Sequence, residues 1–394
     1  MRYNWPLIND NITQSDRLAL SNFCLYGERF TNGEKVKEFE KAWSEWLGVK
    51  HSVMVNSGAS ANYIQIAIAK HLKGIGEIIV PAMAWVSDCS SVINLGMDLV
   101  FVDVNLSNFS MSVESLKASI TPNTKAIMLV HGLGFNALND EIIKIAKENN
   151  LLLLEDVCES HGAKFKDKRV GSFGDLSSFS FYFGHHMTTI EGGMLCTDNE
   201  EIYQLAKMFR SHGFVRESSQ EVQSFYKEKY PELNPLFTFA VAGFNMRSTE
   251  LNAVLGIEQL KRLDYNIEIR RNNFKTWIEN LNPNMYYVDY DLEGNSNFAL
   301  PLIMQESFKD RLHINDDYSS VCDILELNKV EYRLGTIGGG SQIYQPYVLN
   351  SNSFKTFTPL TNSDIIHKNS LYIGNHPELT EEQIIELCKK LNNV

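Results

Sequence analysis

Between residues 50 and 200, short apolar runs alternate with stretches whose apolar residues recur at helical spacing, a rhythm that specifies an α/β domain built on a mainly parallel sheet. The strand-like runs are Glu77–Val80, Leu99–Val104, Lys125–Val130, Leu151–Asp156, Leu176–Phe181 and Gly193–Thr197. Ala61–Leu72 and Asp140–Asn149 carry the helical pattern and are expected to cover the sheet faces. Several runs end in polar or small residues: Asp156 closes one, and Pro81, Ala82, Met83, Ala84 and Trp85 follow another. Open sheets of this kind collect ligands at the carboxyl ends of their strands.

A chain of 394 residues exceeds one ordinary core and suits a large domain plus a smaller one. Residues 1–264, with an N-terminal segment, are assigned to the large domain, and residues 265–394 to a smaller α+β domain. The latter holds strand-like Phe298–Met304, a glycine-rich segment Gly335–Ser341 and a final amphipathic helix Glu381–Leu391. Glu250–Ile269 reads as one long helix leading out of the large domain, and the polar stretch Glu217–Pro235 as a loop or mobile insertion. The balance of 44% hydrophobic and 21% charged residues is that of a globular protein. A net charge of -12 with no Lys/Arg-rich run argues against nucleic acid but leaves room for a local anion pocket. No secretory signal opens the chain and no apolar run approaches the ~20 residues of a membrane span, so a cytoplasmic location is expected. The six cysteines stand singly, without the close pairs that seed zinc or iron–sulfur sites, and read as reduced thiols.

Three segments carry chemistry. Asn56-Ser57-Gly58-Ala59-Ser60-Ala61-Asn62 joins an apolar run to a helix, so its backbone N–H groups suit a phosphate; a Ser/Gly turn that merely caps the helix is the competing reading. Leu151–Asp156 ends a strictly interior strand in a carboxylate. Such a group needs a cationic partner, for which a protonated pyridine nitrogen qualifies, or strong hydrogen bonds; an acid that caps a following helix is the competing reading. In Phe179–Gly193 the adjacent His185 and His186 lack acidic or cysteine neighbours at ligand spacing, which favours an imidazole base over a metal site.

The order of these segments, together with PAMAW, EDVCESHG, FSFYFGHHMTTIEGG, RSHG and GFNMRSTE, resembles the sugar aminotransferases of the aspartate aminotransferase superfamily from about residue 10 to the end. The resemblance implies the fold of pyridoxal-phosphate (PLP) transferases of fold type I. The position of the family's Schiff-base lysine is here His185, a replacement typical of the 3-dehydratases that make 3,6-dideoxyhexoses for O-antigens. EDxCES, RxHG, GxNxR and Gly374-Asn375-His376 also resemble that branch. It implies non-covalent PLP or pyridoxamine phosphate, glutamate as amino donor, a nucleotide-linked 4-keto-6-deoxy sugar as substrate, and His185 as the base at the cofactor's C4′ carbon. Loss of the C3 hydroxyl would follow. By the same resemblance Asp156 pairs with the ring nitrogen, Trp85 stacks on the ring and Glu159 lies near its hydroxyl. Gly58, Ala59, Ser60 and Ser180 hold the phosphate, and Asn245 reaches the phosphate of a second subunit, implying a homodimer with shared active sites. His212, Arg216 and Arg247 are candidates for substrate anions, with surface ion-pair or helix-end roles as the alternative. No iron–sulfur reductase partner is expected, since the cysteines are not grouped. Residues 333–342 depart from the branch's pattern and leave the sugar nucleotide open. A true sugar aminotransferase using His185 as proton shuttle, and a cofactor-binding regulatory protein, are the rival readings.

Overall fold

The computed structural model describes residues 3–311, 320–351 and 353–394. Its strands are β1 (His51–Val55), β2 (Glu77–Pro81), β3 (Asp98–Val102), β4 (Thr124–Val130), β5 (Leu152–Asp156), β6 (Lys164–Phe165), β7 (Lys168–Arg169), β8 (Leu176–Ser180), β9 (Gly193–Thr197), β10 (Ala299–Ile303), β11 (Tyr332–Leu334), β12 (Phe354–Thr356) and β13 (Ser370–Gly374). Eight of them form one sheet in the order β1-β9-β8-β5-β4-β2-β3-β12. All its pairings are parallel except those of β9, which runs antiparallel to both β1 and β8.

Alternate residues of these strands feed two separate cores, as the period-two geometry of a strand requires. On one face Val53, Ile78, Val80, Leu99, Phe101, Met128 and Leu154 pack with Ile64 and Ile68 of helix Gly58–Lys73. On the other, Met54, Ile79, Val100, Ile127, Leu129, Leu153 and Phe179 meet Phe39 and Trp43 of helix Glu34–Leu47 and Ile142 of helix Asp140–Glu148. Cover on both faces explains why Leu151–Leu154 is uninterruptedly apolar. A smaller antiparallel sheet, β10-β13-β11, packs Leu300, Leu302, Leu371 and Ile373 against Phe274 and Trp277 of helix Leu263–Asn280 and Ile384 and Leu387 of helix Glu381–Leu391. Met83, Leu133 and Phe135, from loops of the large sheet, enter this third core and weld the two regions together. No helix among the described residues is long and apolar enough to cross a membrane.

Three expectations need correction. The stretch Glu217–Pro235 contains a helix, Gln220–Lys229, whose N-cap Ser219 accepts a hydrogen bond from the Val222 amide; it fully buries no residue and rests on the core through the partly buried Val222 and Tyr226 among mostly polar neighbours, a faint apolar face for periodicity to detect. Glu250–Ile269 is two helices, Glu250–Leu260 and Leu263–Asn280, which part at Lys261–Arg262. There Arg262 swings its guanidinium onto Asp16 at 2.6 Å and the Asn11 carbonyl at 2.8 Å, anchoring the N-terminal segment. Finally, β12, from the last quarter of the chain, joins the large sheet beside β3. With a single strongly apolar residue in Phe-Lys-Thr, it is too short to read as a strand.

Candidate active site

The carboxyl ends of β2, β5 and β8 converge with the start of helix Gly58–Lys73. At the end of β5 two adjacent acids diverge, as neighbours on a strand must. Glu155 turns to one face, where it takes the amides of Gly171, Phe173 and Gly174 and lies 3.1 Å from His131 Nε2, so it is consumed in holding a turn. Asp156, only 4% exposed, turns to the other. Its Oδ1 accepts the Cys158 amide at 2.8 Å and its Oδ2 the Asn62 side-chain amide at 2.7 Å. A turn rather than a helix follows it, so it caps nothing. Asn62 Nδ2 also lies 2.8 Å from Asp88 Oδ1, and Asp88 Oδ2 accepts the Trp85 amide at 2.9 Å. Burial first, and then the charge of Asp156, holds the Asp88 carboxyl well above the usual carboxylate range. Neither acid has a basic side chain as an ion-pair partner among the described residues, so this buried corner calls for a cation from outside the chain. Glu159 nearby accepts the Leu133 amide on its Oε2 at 2.9 Å; burial, opposed by that bond and assisted by Asp156, pushes it up to about 7.

Ser57 caps helix Gly58–Lys73, its Oγ accepting the Ser60 amide at 3.1 Å. The capping reading and the anion reading therefore coexist: the remaining first-turn amides sit at the positive end of a 16-residue helix. Gly58 lets this turn press on β8, for a Cβ there would lie 2.5 Å from that of Ser180. Ala59 is exposed and Ser60 buried beside it. Trp85, half-exposed at the start of helix Val86–Asn94, stands above the end of β2 with an open face.

After β8 the chain turns through Tyr182–His185. His185 is partly buried, with Nδ1 unpaired. Burial above all, reinforced by Arg270 and opposed by Asp156, pushes its imidazole down to about 4, so it is neutral at pH 7. His186 is buried and gives its Nε2–H to the Ser296 carbonyl at 3.2 Å. Its ring lies 5.4 Å from that of His161, itself buried among Trp43, Phe179 and Phe181. Burial depresses both of these well below the ordinary imidazole value. Among the described residues no group of three or more histidines, cysteines or acids is placed to hold a metal ion.

Asn245 is exposed on a segment that runs beside β1, where the Asn56 amide donates to the Met246 carbonyl at 3.0 Å. Its side chain thus lies at the open edge next to its own subunit's Ser/Gly turn. His212, Arg216 and Arg247 gather on a neighbouring surface. Arg216 lays its guanidinium 3.9 Å over Phe214, His212 edges onto the same ring, and Arg247 sits 3.8 Å from Glu217. None of the three forms a hydrogen bond or ion pair with Asp156, Ser180 or His185.

Sequence reasoning passed over Asn62 as a functional group, and Asp88 and Arg270 altogether. Asp88 sits at the third position of its helix, where an acid reads as a capping residue. Arg270 is buried inside a helix otherwise rich in exposed charge, and among the described residues its guanidinium makes one hydrogen bond, to the Phe298 carbonyl at 3.2 Å; burial pushes it down to about 10. Together with His185, Asn9, Asn11, His376 and Glu378 it lines a cavity of about 300 Å³ that opens beside the imidazole.

The model of the DegT/DnrJ/EryC1/StrS aminotransferase family matches residues 11–392. The chain is 33% identical over 386 residues to a GDP-4-keto-6-deoxy-D-mannose 3-dehydratase of Escherichia coli O55:H7, covering 96% of this chain and 97% of that one. It is also 34% identical over 241 residues to a GDP-perosamine synthase of Caulobacter vibrioides, covering 60% of this chain and 59% of that one. The solved structure of an E. coli GDP-4-keto-6-deoxy-D-mannose-3-dehydratase with bound hydrated PLP superposes with a TM-score of 0.88 at 31% identity, covering 99% of this chain and 100% of that one.

Proposed function

This chain belongs to the DegT/DnrJ/EryC1/StrS aminotransferase family, and we propose that it is a PLP/pyridoxamine-phosphate-dependent 3-dehydratase of a nucleotide-linked 4-keto-6-deoxyhexose, with glutamate as amino donor, serving dideoxysugar formation. The observation that carries this reading is His185: a neutral imidazole beside the Asp156 corner, on the turn after β8 where the family's lysine is expected. An imidazole has no amine with which to hold the cofactor covalently, but it accepts a proton.

The residues suit such a cofactor. The buried Asp156 and Asp88 carboxyls lack a cation that a ring nitrogen would supply, the amides of Gly58, Ala59 and Ser60 with Ser180 offer a phosphate site, and Trp85 presents an open aromatic face. When bound, the cofactor supplies an amine to join the sugar ketone and a ring that takes up electron density. Asp156 would pair with the ring nitrogen and keep it charged, Trp85 would hold the plane of the ring, and Glu159, poised at about 7, would lie near the ring hydroxyl. His185 would serve as the base for the C4′ proton, and burial keeps its imidazole unprotonated beforehand. His212, Arg216 and Arg247 form the surface nearest the anionic end of the sugar nucleotide. Leu18, Leu25 and Tyr26 on helix Gln14–Tyr26, with Phe237 and Phe239 beyond, expose an apolar surface that a second copy would cover, bringing Asn245 to its partner's phosphate site.

The test is mass spectrometry of the product after incubation with glutamate and GDP-, CDP- or dTDP-linked 4-keto-6-deoxy sugars. A 3-deoxy-4-keto sugar with free ammonia is expected. Nitrogen retained on the sugar would replace this reading with amino transfer, which the similarity to a perosamine synthase favours as the second reading. No turnover with any sugar would leave a cofactor-binding regulatory protein.

A further inference from the structure

Asp88 takes no part in the chemistry assigned to His185, yet it is fully buried and touches the carboxylate meant for the ring nitrogen. Asn62 grips both acids with one amide nitrogen, 2.7 Å from Asp156 Oδ2 and 2.8 Å from Asp88 Oδ1. The orientation of that amide is set from behind, because Asn62 Oδ1 accepts the Ser178 hydroxyl at 2.5 Å. Asp88 Oδ2 meanwhile takes the Trp85 backbone amide. One side chain therefore ties the group beneath a bound ring's nitrogen to the residue that would cover its face.

We propose that Asp88 is a positioning residue for the cofactor: as a neutral acid it donates to Asp156 while accepting from Trp85 and Asn62, and so locks the ring-nitrogen partner and the ring cover into one unit. The inference rests on the cofactor reading above. Two buried carboxyls in contact hold one proton between them, since a second uncompensated charge in the interior is costly. The groups facing Asp88 are Asp156, Glu159 and Cys158 from β5 and the turn beyond, Cys89 from its own helix and Tyr347 from helix Pro346–Leu349, and none is a cation. Each acid receives two N–H donors, Asp156 from Cys158 and Asn62 and Asp88 from Trp85 and Asn62, so it is the charge of the ring nitrogen beside Asp156 that leaves the proton with Asp88. A neutral donor weakens Asp156 as a base, and a proton on the ring nitrogen then remains on nitrogen.

The test reconstitutes the apoprotein with PLP labelled with nitrogen-15 in the ring and follows the nitrogen shift between about pH 6 and 9, with cofactor affinity read by fluorescence. Wild type is expected to hold a pyridinium nitrogen throughout. Asp88→Asn keeps an uncharged donor to Asp156 but gives up one of the two acceptors that Asn62 and Trp85 use, so the shift should persist while affinity falls by about threefold. Asp88→Leu removes the donor, so the shift should move toward unprotonated pyridine and affinity fall by about tenfold or more. Asp88→Ala serves in its place if the leucine variant does not fold. The proposal is overturned if Asp88→Asn loses the pyridinium signal as fully as Asp88→Leu, which would make Asp88 an anion, or if the leucine and alanine variants behave as wild type. Wild-type apoprotein that takes up no PLP would instead sink the cofactor reading itself.

Discussion

His185 and His186 are consecutive, yet their surroundings assign them opposite tasks. His186 has spent Nε2 on the Ser296 carbonyl inside an aromatic cluster, whereas His185 is partly open, borders the 300 Å³ cavity and feels the charge of Asp156. His185→Asn should therefore keep cofactor affinity and lose about 10²- to 10⁴-fold in turnover, the usual contribution of a positioned base. His186→Asn should retain exchange of the C4′ proton, and the reverse pattern would shift the catalytic assignment by one residue. The pH profile follows with its sign. A base works when deprotonated, and burial has pushed His185 down to about 4, so turnover should persist as pH falls through 6.5 and fail only near the lower value. An acid limb at about 6.5 that vanishes in His185→Asn would contradict the buried, neutral imidazole.

At the scale of elements, the proposed phosphate site depends on the closeness of the turn before helix Gly58–Lys73 to β8. Gly58→Ala would drive a methyl to 2.5 Å from Ser180 Cβ and 2.9 Å from Cys158 Sγ, forcing the turn off the strand. We expect a folded protein with circular dichroism near wild type but PLP affinity lowered by about tenfold or more, corresponding to the ~1–3 kcal/mol of such overpacking; unchanged affinity would place the phosphate elsewhere. Which elements were readable in the sequence follows from the same physics. β5 announces itself because both its faces are buried, so its run of leucines ends abruptly in an acid, and that contrast singled out Asp156. Helix Gln220–Lys229 fully buries no residue and meets the core through the partly buried Val222 and Tyr226, so the period it writes into its residues is faint. Asp88 was hidden for a different reason: an acid three residues into a helix already has an ordinary explanation, and only the fold carries β5 up against it.

For the whole molecule, Asn245 is exposed and apolar residues of helix Gln14–Tyr26 face outward, surfaces that the proposed second copy would cover. Asn245→Ala and Asp156→Ala, each inactive alone, should regain part of the activity when mixed and allowed to exchange subunits, because one of the two sites in a hybrid carries both intact residues. Hybrids that form, as judged by native mass spectrometry, and remain inactive would end the shared-site idea. The short strand β12 has a further consequence. Phe354–Thr356 lies along β3, while Lys355 reaches Glu77 at 2.7 Å and Asp98 at 3.2 Å, and the amides of Asn362 and Ser363 close on Asp103. The last quarter of the chain thus seals the β3 edge of a sheet laid down in its first half. A nascent chain that stopped at residue 264 would leave β3 as a bare template for pairing with its neighbours. Emergence of Phe354–Thr356 from the ribosome is therefore the moment at which β3 stops being a bare edge.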